Sequence, residues 1–192
     1  MMITRQRARI AALILGLLLI QGLALTGYQA WEAGREDESL SFRFERIGGS
    51  VAAPALSLER ADGTRVTVTP GKDGNAVLVH FWATWCPPCR DELPALLALG
   101  KDISPSGRVR IVAVATDPGW QEIRTFFNGE PPPEVLRDYS GNTRRDYRVS
   151  ALPDTYLVTA DGLIRIRFAG AQAWGSKSAR EFLAREANGG HS

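Results

Sequence analysis

Cys86 and Cys89 are the chain's only cysteines, with Pro87-Pro88 between them, at the join of an apolar run and a helix-like run. The run Ala76-Val77-Leu78-Val79-His80-Phe81-Trp82 has the length and the β-branched and aromatic content of a buried strand. Pro87 to Leu99 carries apolar residues at helical spacing. Cys86 is therefore expected at a helix N-terminus, where unpaired N–H groups and the positive end of the helix dipole favour a thiolate over a thiol.

Counting ligands narrows the chemistry of such a pair. A structural zinc site takes about four ligands, whereas Cys, His donors here are Cys86, Cys89, His80 and His191, the last in a Gly-rich tail. Covalent haem attachment needs a histidine directly after the second cysteine, and Arg90 stands there. Both methionines, Met1 and Met2, lie at the extreme N-terminus, so a copper site has no thioether help, although Cu(I) held by the two thiolates stays open. A static disulfide closing so short a loop would add little by chain entropy. No metal and no cofactor is expected, and redox chemistry at the pair is the favoured reading.

The uncharged, leucine-rich stretch 10–30 is about the length that spans a bilayer. Arg5, Arg7 and Arg9 precede it, and Glu32, Glu36, Asp37 and Glu38 follow it. By the positive-inside rule residues 1–9 form a cytoplasmic basic segment, 10–30 a transmembrane signal-anchor, and everything beyond lies outside. The competing reading is a cleaved signal peptide. A cut after Ala30 would put Tyr28 at a disfavoured position, whereas one after Ala24 has Gly22 upstream. Residues 31–50 are expected as a linker and 51–188 as the folded domain. The first 30 residues hold three of the 23 Lys+Arg and none of the 21 Asp+Glu, so the remainder carries a net −1. That balance argues against a nucleic-acid surface.

Within the domain, Leu56 to Arg60 and Arg65 to Thr69 alternate around Ala61-Asp62-Gly63-Thr64 and predict a hairpin. The strand and helix around the cysteines follow, the helix ending near Gly100, and then an apolar strand, Arg108 to Ala115. Thr116-Asp117-Pro118-Gly119 turns the chain into a helix, Trp120 to Phe127, and a short strand follows over Glu134 to Arg137. A helix over Asn142 to Tyr147, strands over Leu157-Val158 and Ile164 to Phe168 about Asp161-Gly162, and a helix over Ser176 to Glu186 complete the order. Leu40 to Glu45 alternates as an edge strand would. An α/β sandwich results, with the cysteines at the C-terminal end of a central strand, where open α/β sheets place their sites.

Val77 to Pro94, Ser150-Ala151-Leu152-Pro153-Asp154-Thr155-Tyr156-Leu157-Val158, Asp161-Gly162, and Gly170 with Trp174 together resemble the thioredoxin fold. The likeness is closest to the membrane-anchored or exported thiol-disulfide oxidoreductases of the TlpA, ResA and CcmG type. It implies a central mixed sheet flanked by helices, an N-terminal β-hairpin, and a helix-strand insertion at 119–137. It also implies that Cys86 is the attacking cysteine and Cys89 the buried resolving one. Pro153 would be a cis-proline facing the disulfide, and Glu92 the acid the group often keeps three positions after the second cysteine. Trp85, Pro87 and the backbone around Leu152 would receive the substrate. Six residues before Cys86, where thioredoxin has a buried aspartate and the TlpA-like group usually asparagine, this chain has His80. His80 is a candidate proton relay to Cys89, against the plainer reading of a hydrogen-bonded core histidine.

The activity implied is reduction of client-protein disulfides, such as those of apocytochrome c or of a copper-site protein. It needs no cofactor, and electrons would be resupplied by a membrane donor of the CcdA or DsbD type. Two other readings are a thioredoxin-fold Cu(I) carrier and a disulfide-forming oxidase. A peroxiredoxin is disfavoured, because Thr84 stands two rather than three positions before Cys86.

Overall fold

The computed structural model describes residues 14–29, 42–103 and 109–187. The chain divides into two units, residues 1–40 and 41–192. In the first, residues 14–29 form helix α1. No helix among the described residues is long and apolar enough to cross a membrane. Residues 10–13 and 30 of the expected anchor, the basic segment 1–9 and positions 31–41 of the expected linker lie outside the described residues.

The second unit is built on an eight-stranded mixed sheet flanked by helices. Its elements are β1 (Glu45–Arg46), β2 (Leu56–Glu59), β3 (Arg65–Val68), β4 (Ala76–Trp82), α2 (Pro87–Ile103), β5 (Val109–Ala115), α3 (Trp120–Phe127), β6 (Val135–Arg137), α4 (Asn142–Asp146), β7 (Asp154–Val158), β8 (Ile164–Ala169) and α5 (Lys177–Ala187). The strand order is β1-β8-β7-β4-β5-β6-β2-β3. Strand β4 lies parallel to β5 and antiparallel to β7, and all seven of its residues are buried. A strand enclosed at both edges and on both faces has no solvent side, which is why its sequence is continuous apolar with one exception, His80.

Alternation along β4 divides the interior into two cores. Leu78 and Trp82 face one, with Cys89, Leu93 and Leu96 of α2, Phe182 of α5, and Trp174. Val77, Val79 and Phe81 face the other, with Leu56, Leu58, Tyr147 and Tyr156. His80 shares the side of Leu78 and Trp82, facing α2. The predicted hairpin is β2–β3, with Leu56 opposite Val68 and Glu59 opposite Arg65. The insertion is α3 and β6, and β6 pairs parallel with β5.

Three boundaries differ from the sequence expectation. Helix α2 continues past Gly100 to Ile103, because Gly100 sits where helix and strand touch: a Cβ there would lie 2.6 Å from Ile111 Cδ1. Strand β7 begins at Asp154, not Leu157; the polar Asp154-Thr155 pair is paired into the sheet and satisfied by partners described below. Among the described residues the edge strand is Glu45–Arg46, against β8, and Leu40 and Ser41 of the expected strand lie outside them.

The described part of the expected linker is bound to the body of the domain. Ile47 N–H donates to Arg165 O at 2.8 Å, and Arg46 pairs with Glu186 at 2.7 Å. Phe42 stands 5.1 Å from Phe168, 5.3 Å from Phe182 and 5.7 Å from Trp174, centroid to centroid. Phe42→Ala should therefore destabilise the domain by roughly 2 kcal/mol, less than a fully buried aromatic truncation. Urea unfolding of the oxidised protein measures this, and an unchanged midpoint would mean the segment contributes nothing to the fold.

Candidate active site at the end of strand β4

Where β4 ends, the chain is held before it turns into α2. Thr116 N–H donates to Trp82 O at 2.9 Å, prolonging the β4–β5 pairing by one bond. Two residues on, Thr84 N–H lies 3.2 and 3.1 Å from the two oxygens of Asp117, and the Thr84 hydroxyl donates to the same carboxylate. Asp117 is buried, and its oxygens fix the backbone just before Trp85 and Cys86. Cys86 N–H then donates to Ala83 O at 3.2 Å, and Cys86 O accepts the helical bond from Arg90 N–H at 3.1 Å. Cys86 is thus the residue flanking the first turn of α2, and Pro87 occupies the first helical position, where no N–H is missed.

Cys86 and Cys89 form a disulfide with Cα atoms 5.3 Å apart. Their surroundings differ: Cys86 keeps 5% exposure and Cys89 none. A thiolate arriving from solvent meets Cys86 first, and Cys89 is the sulfur that leaves inward. Trp85, 62% exposed, and the exposed Pro87 flank Cys86 on the surface.

One turn along the buried face of α2 from Cys89 comes Glu92, 5% exposed. Its Oε2 accepts the main-chain N–H of Gln172. Its Oε1 lies 3.8 Å from His80 Nε2, and neither of those two atoms has a hydrogen-bond partner. His80 is fully buried, and its Nδ1 is 2.9 Å from the Thr155 hydroxyl. Desolvation decides both protonation states. Burial pushes the Glu92 carboxyl up to about 8, against the smaller opposing pulls of the Gln172 amide and the Trp174 indole. Burial takes the His80 imidazole down to about 3. Near neutral pH the contact is between a carboxylic acid and a neutral imidazole, not an ion pair.

The Leu152–Pro153 peptide bond is cis. Because Asp154 stands opposite Phe81, Pro153 falls level with Trp82, at the end of β4 that leads to the cysteines. Pro153 O accepts Gly170 N–H at 2.9 Å. Asp154, buried, is clamped by Arg167 Nη2 at 2.8 Å and by the Tyr156 hydroxyl at 2.9 Å. Leu152 is half-buried at the margin of both cores.

The structure thus gathers Cys86, Cys89, Trp85, Pro87, Leu152 and Pro153 at one end of the sheet, with Glu92 and His80 in contact beneath. Sequence reasoning missed Asp117, Thr155 and Gln172. Asp117 carried a signal, an acid directly after a buried strand, but it also fits the turn that follows. Thr155 and Gln172 carried none.

The opposed shifts give pH dependence a definite sign. Between about pH 4.5 and 8 the unfolded chain loses the Glu92 proton while the native state keeps it, so stability from this group falls as pH rises. His80 acts oppositely: below about pH 6.5 the unfolded chain takes a proton that the native state refuses down to about 3, so stability falls as pH drops. The two slopes oppose each other between 4.5 and 6.5, leaving the Glu92 loss uncompensated from about 6.5 to 8. Urea unfolding across this range should show wild type losing stability relative to Glu92→Gln as pH rises to 8. Parallel curves would place the ionisation elsewhere.

Comparison with known proteins agrees with this geometry. Residues 50–167 match the model of the AhpC/TSA family. The chain is 32% identical over 154 residues to thioredoxin-like protein YneN of Bacillus subtilis, covering 78% of this chain and 85% of that one. It is 33% identical over 150 residues to the thiol-disulfide oxidoreductase ResA of the same organism, covering 77% of each. The crystal structure of a putative thiol:disulfide interchange protein DsbE from Chlorobium tepidum superposes with a TM-score of 0.60 at 26% identity, over 74% of this chain and 97% of that one. The chain belongs to the AhpC/TSA family, among thiol-disulfide oxidoreductases of the ResA and DsbE kind with a thioredoxin-like fold.

Proposed function

We propose that this oxidoreductase reduces disulfides of client proteins on the outer side of a bacterial cytoplasmic membrane. The observation that carries the reading is the disulfide between a surface-edge Cys86 and an enclosed Cys89, one helical turn from a buried carboxylic acid, Glu92. In the reduced enzyme, Cys86 thiolate attacks a client disulfide. A Cys86–client bond forms, and the second client sulfur leaves as thiolate. Cys89 gives its proton to the Glu92 carboxylate and attacks Cys86. The client sulfur leaves and takes a proton from solvent, and the enzyme holds the disulfide with two electrons passed to the client. A group whose protonation changes near pH 8 is suited to both halves of that proton transfer.

Two features favour reduction over oxidation. Pro87 and Pro88 supply no N–H to the first turn of α2, so fewer donors stabilise a Cys86 thiolate. The low-polarity surroundings of Cys89 likewise disfavour its thiolate. A reduced form that is poorly stabilised gives electrons readily. Clients would lie across Trp85 and Leu152, and beside Cys86 an open groove of about 550 Å³ is lined by Thr84, Arg90, Gln121, Glu122, Thr125 and Phe126.

The sequence supports the membrane part of the reading through the apolar stretch 10–30 and the arginines before it. In that setting a membrane donor of the CcdA or DsbD type would return electrons to the disulfide. The clients would be the haem-binding cysteines of apocytochrome c or the cysteines of a copper-site protein.

A Cys89→Ala variant, expressed in its native compartment, should accumulate client as a Cys86-linked mixed disulfide that dithiothreitol releases. The wild-type pair should titrate at roughly −270 mV, near thioredoxin. A value near −120 mV would instead describe an oxidase.

A further inference from the structure

His80 Nε2 and Glu92 Oε1 are two buried polar atoms left unpartnered, yet they face each other across 3.8 Å. Leaving one such atom bare in a dry core is costly, and leaving two side by side is doubly so unless another state of the molecule uses them. The catalytic cycle proposed above, on which this inference rests, creates such a state. When the disulfide opens, Cys89 leaves as a thiolate and takes the proton of Glu92. The Glu92 carboxylate that remains carries a full charge in the same dry core. Gln172 N–H already serves its Oε2. Its Oε1 faces the His80 ring across 3.8 Å, and the Trp174 indole also acts on the carboxyl.

We propose that His80 is a positioning residue for Glu92: its Nε2–H, aimed by Thr155 on the opposite ring nitrogen, becomes the hydrogen-bond donor to Glu92 Oε1 once the Glu92 proton has moved to Cys89. The tautomer follows from the carboxylate. A ring protonated at Nδ1 would turn the Nε2 lone pair toward a negative oxygen, whereas a ring protonated at Nε2 presents a donor. The Thr155 hydroxyl, 2.9 Å from Nδ1, can donate to the nitrogen left bare. A movement of about 1 Å turns the 3.8 Å contact into a charge-assisted bond of ordinary length.

The neighbouring charges do not offer a substitute. On this side of the sheet β4 contributes His80, α2 contributes Cys89 and Glu92, β7 contributes Thr155, and the loop after β8 contributes Gln172 and Trp174. Trp174 leans on the carboxyl with its indole. Asp154, Tyr156 and Arg167 satisfy one another on the opposite side. At α5 Glu186 is held by Arg46. Among the described residues no arginine or lysine pairs with Glu92, so its donors are neutral N–H groups: the Gln172 main chain at Oε2, the Trp174 indole, and the His80 ring that faces Oε1.

The test uses the full-length reduced protein and reads two signals other than turnover. Nitrogen-15 shifts of the His80 ring should show Nε2 protonated and Nδ1 bare. The carbon-13 titration of Glu92 should move up by about one pH unit in His80→Leu, the loss expected when a hydrogen bond to a charged group is removed, and return toward wild type in His80→Gln, whose amide restores a donor. Resolution of a preformed Cys86 mixed disulfide should follow, its pH profile moving by the same amount. If His80→Leu does not fold, Thr155→Val keeps the ring and should shift Glu92 the same way by freeing the tautomer. A ring protonated at Nδ1, or a Glu92 titration unmoved by the substitution, overturns the inference and leaves the reductase reading intact. A wild type with these signals but no reduction of client disulfides overturns the reductase reading instead.

Discussion

The enclosure of β4 is the constraint on which the rest depends. A strand paired at both edges and covered on both faces cannot shift register without turning an apolar side chain out or a polar one in. Its end point is therefore fixed, and the cysteines inherit that precision through a short connection. The Thr84–Asp117 bonds tie the connection to the end of β5, the parallel neighbour of β4. The Leu152–Pro153 segment inherits its place from β7, the antiparallel neighbour. Two strands on opposite edges of β4 thus deliver the two walls of the site, and both rely on the same seven residues.

The interior that gives β4 its rigidity also sets the chemistry beneath the disulfide. Glu92 and His80 stand in the core containing Trp82, Leu93, Phe168 and Trp174. In water near pH 6 both groups would be mostly charged, but here desolvation moves them in opposite directions, to about 8 and about 3, and both are neutral. Burial of this size is affordable only because each group keeps one good partner, Gln172 N–H for the acid and the Thr155 hydroxyl for the ring. A carboxyl held near 8 is a proton store matched to thiol chemistry, which an exposed glutamate would not be.

The parts of this design that were legible in the sequence are those that repeat over several residues. The apolar run of β4, the helical period of α2, and the Asp62-Gly63 and Asp161-Gly162 turns each draw on many side chains, so the pattern survives one unusual residue. What stayed hidden depends on single side chains meeting across the fold. Asp117 reads as a turn residue, and only the parallel pairing of β4 and β5 shows that it reaches Thr84. The Asp154-Thr155 start of β7 reads as loop because both residues are polar; inside the fold each is satisfied by a partner 13 or 75 positions away. Gly100 reads as a helix end, whereas its small size lets α2 lie against Ile111.

Gln172 shows how such single contacts join distant parts of the chain. Its main-chain N–H holds Glu92, and its side-chain oxygen accepts the main-chain N–H of Arg43 at 2.8 Å. The residue before Arg43, Phe42, packs on Trp174 and Phe168, and the Trp174 indole acts on the Glu92 carboxyl. The segment that leads into the domain is therefore joined to its buried acid through Gln172 and Trp174. Burial is what raises the Glu92 carboxyl, and Gln172 and Trp174, the two groups that pull against it, are the ones that this segment packs on and bonds to.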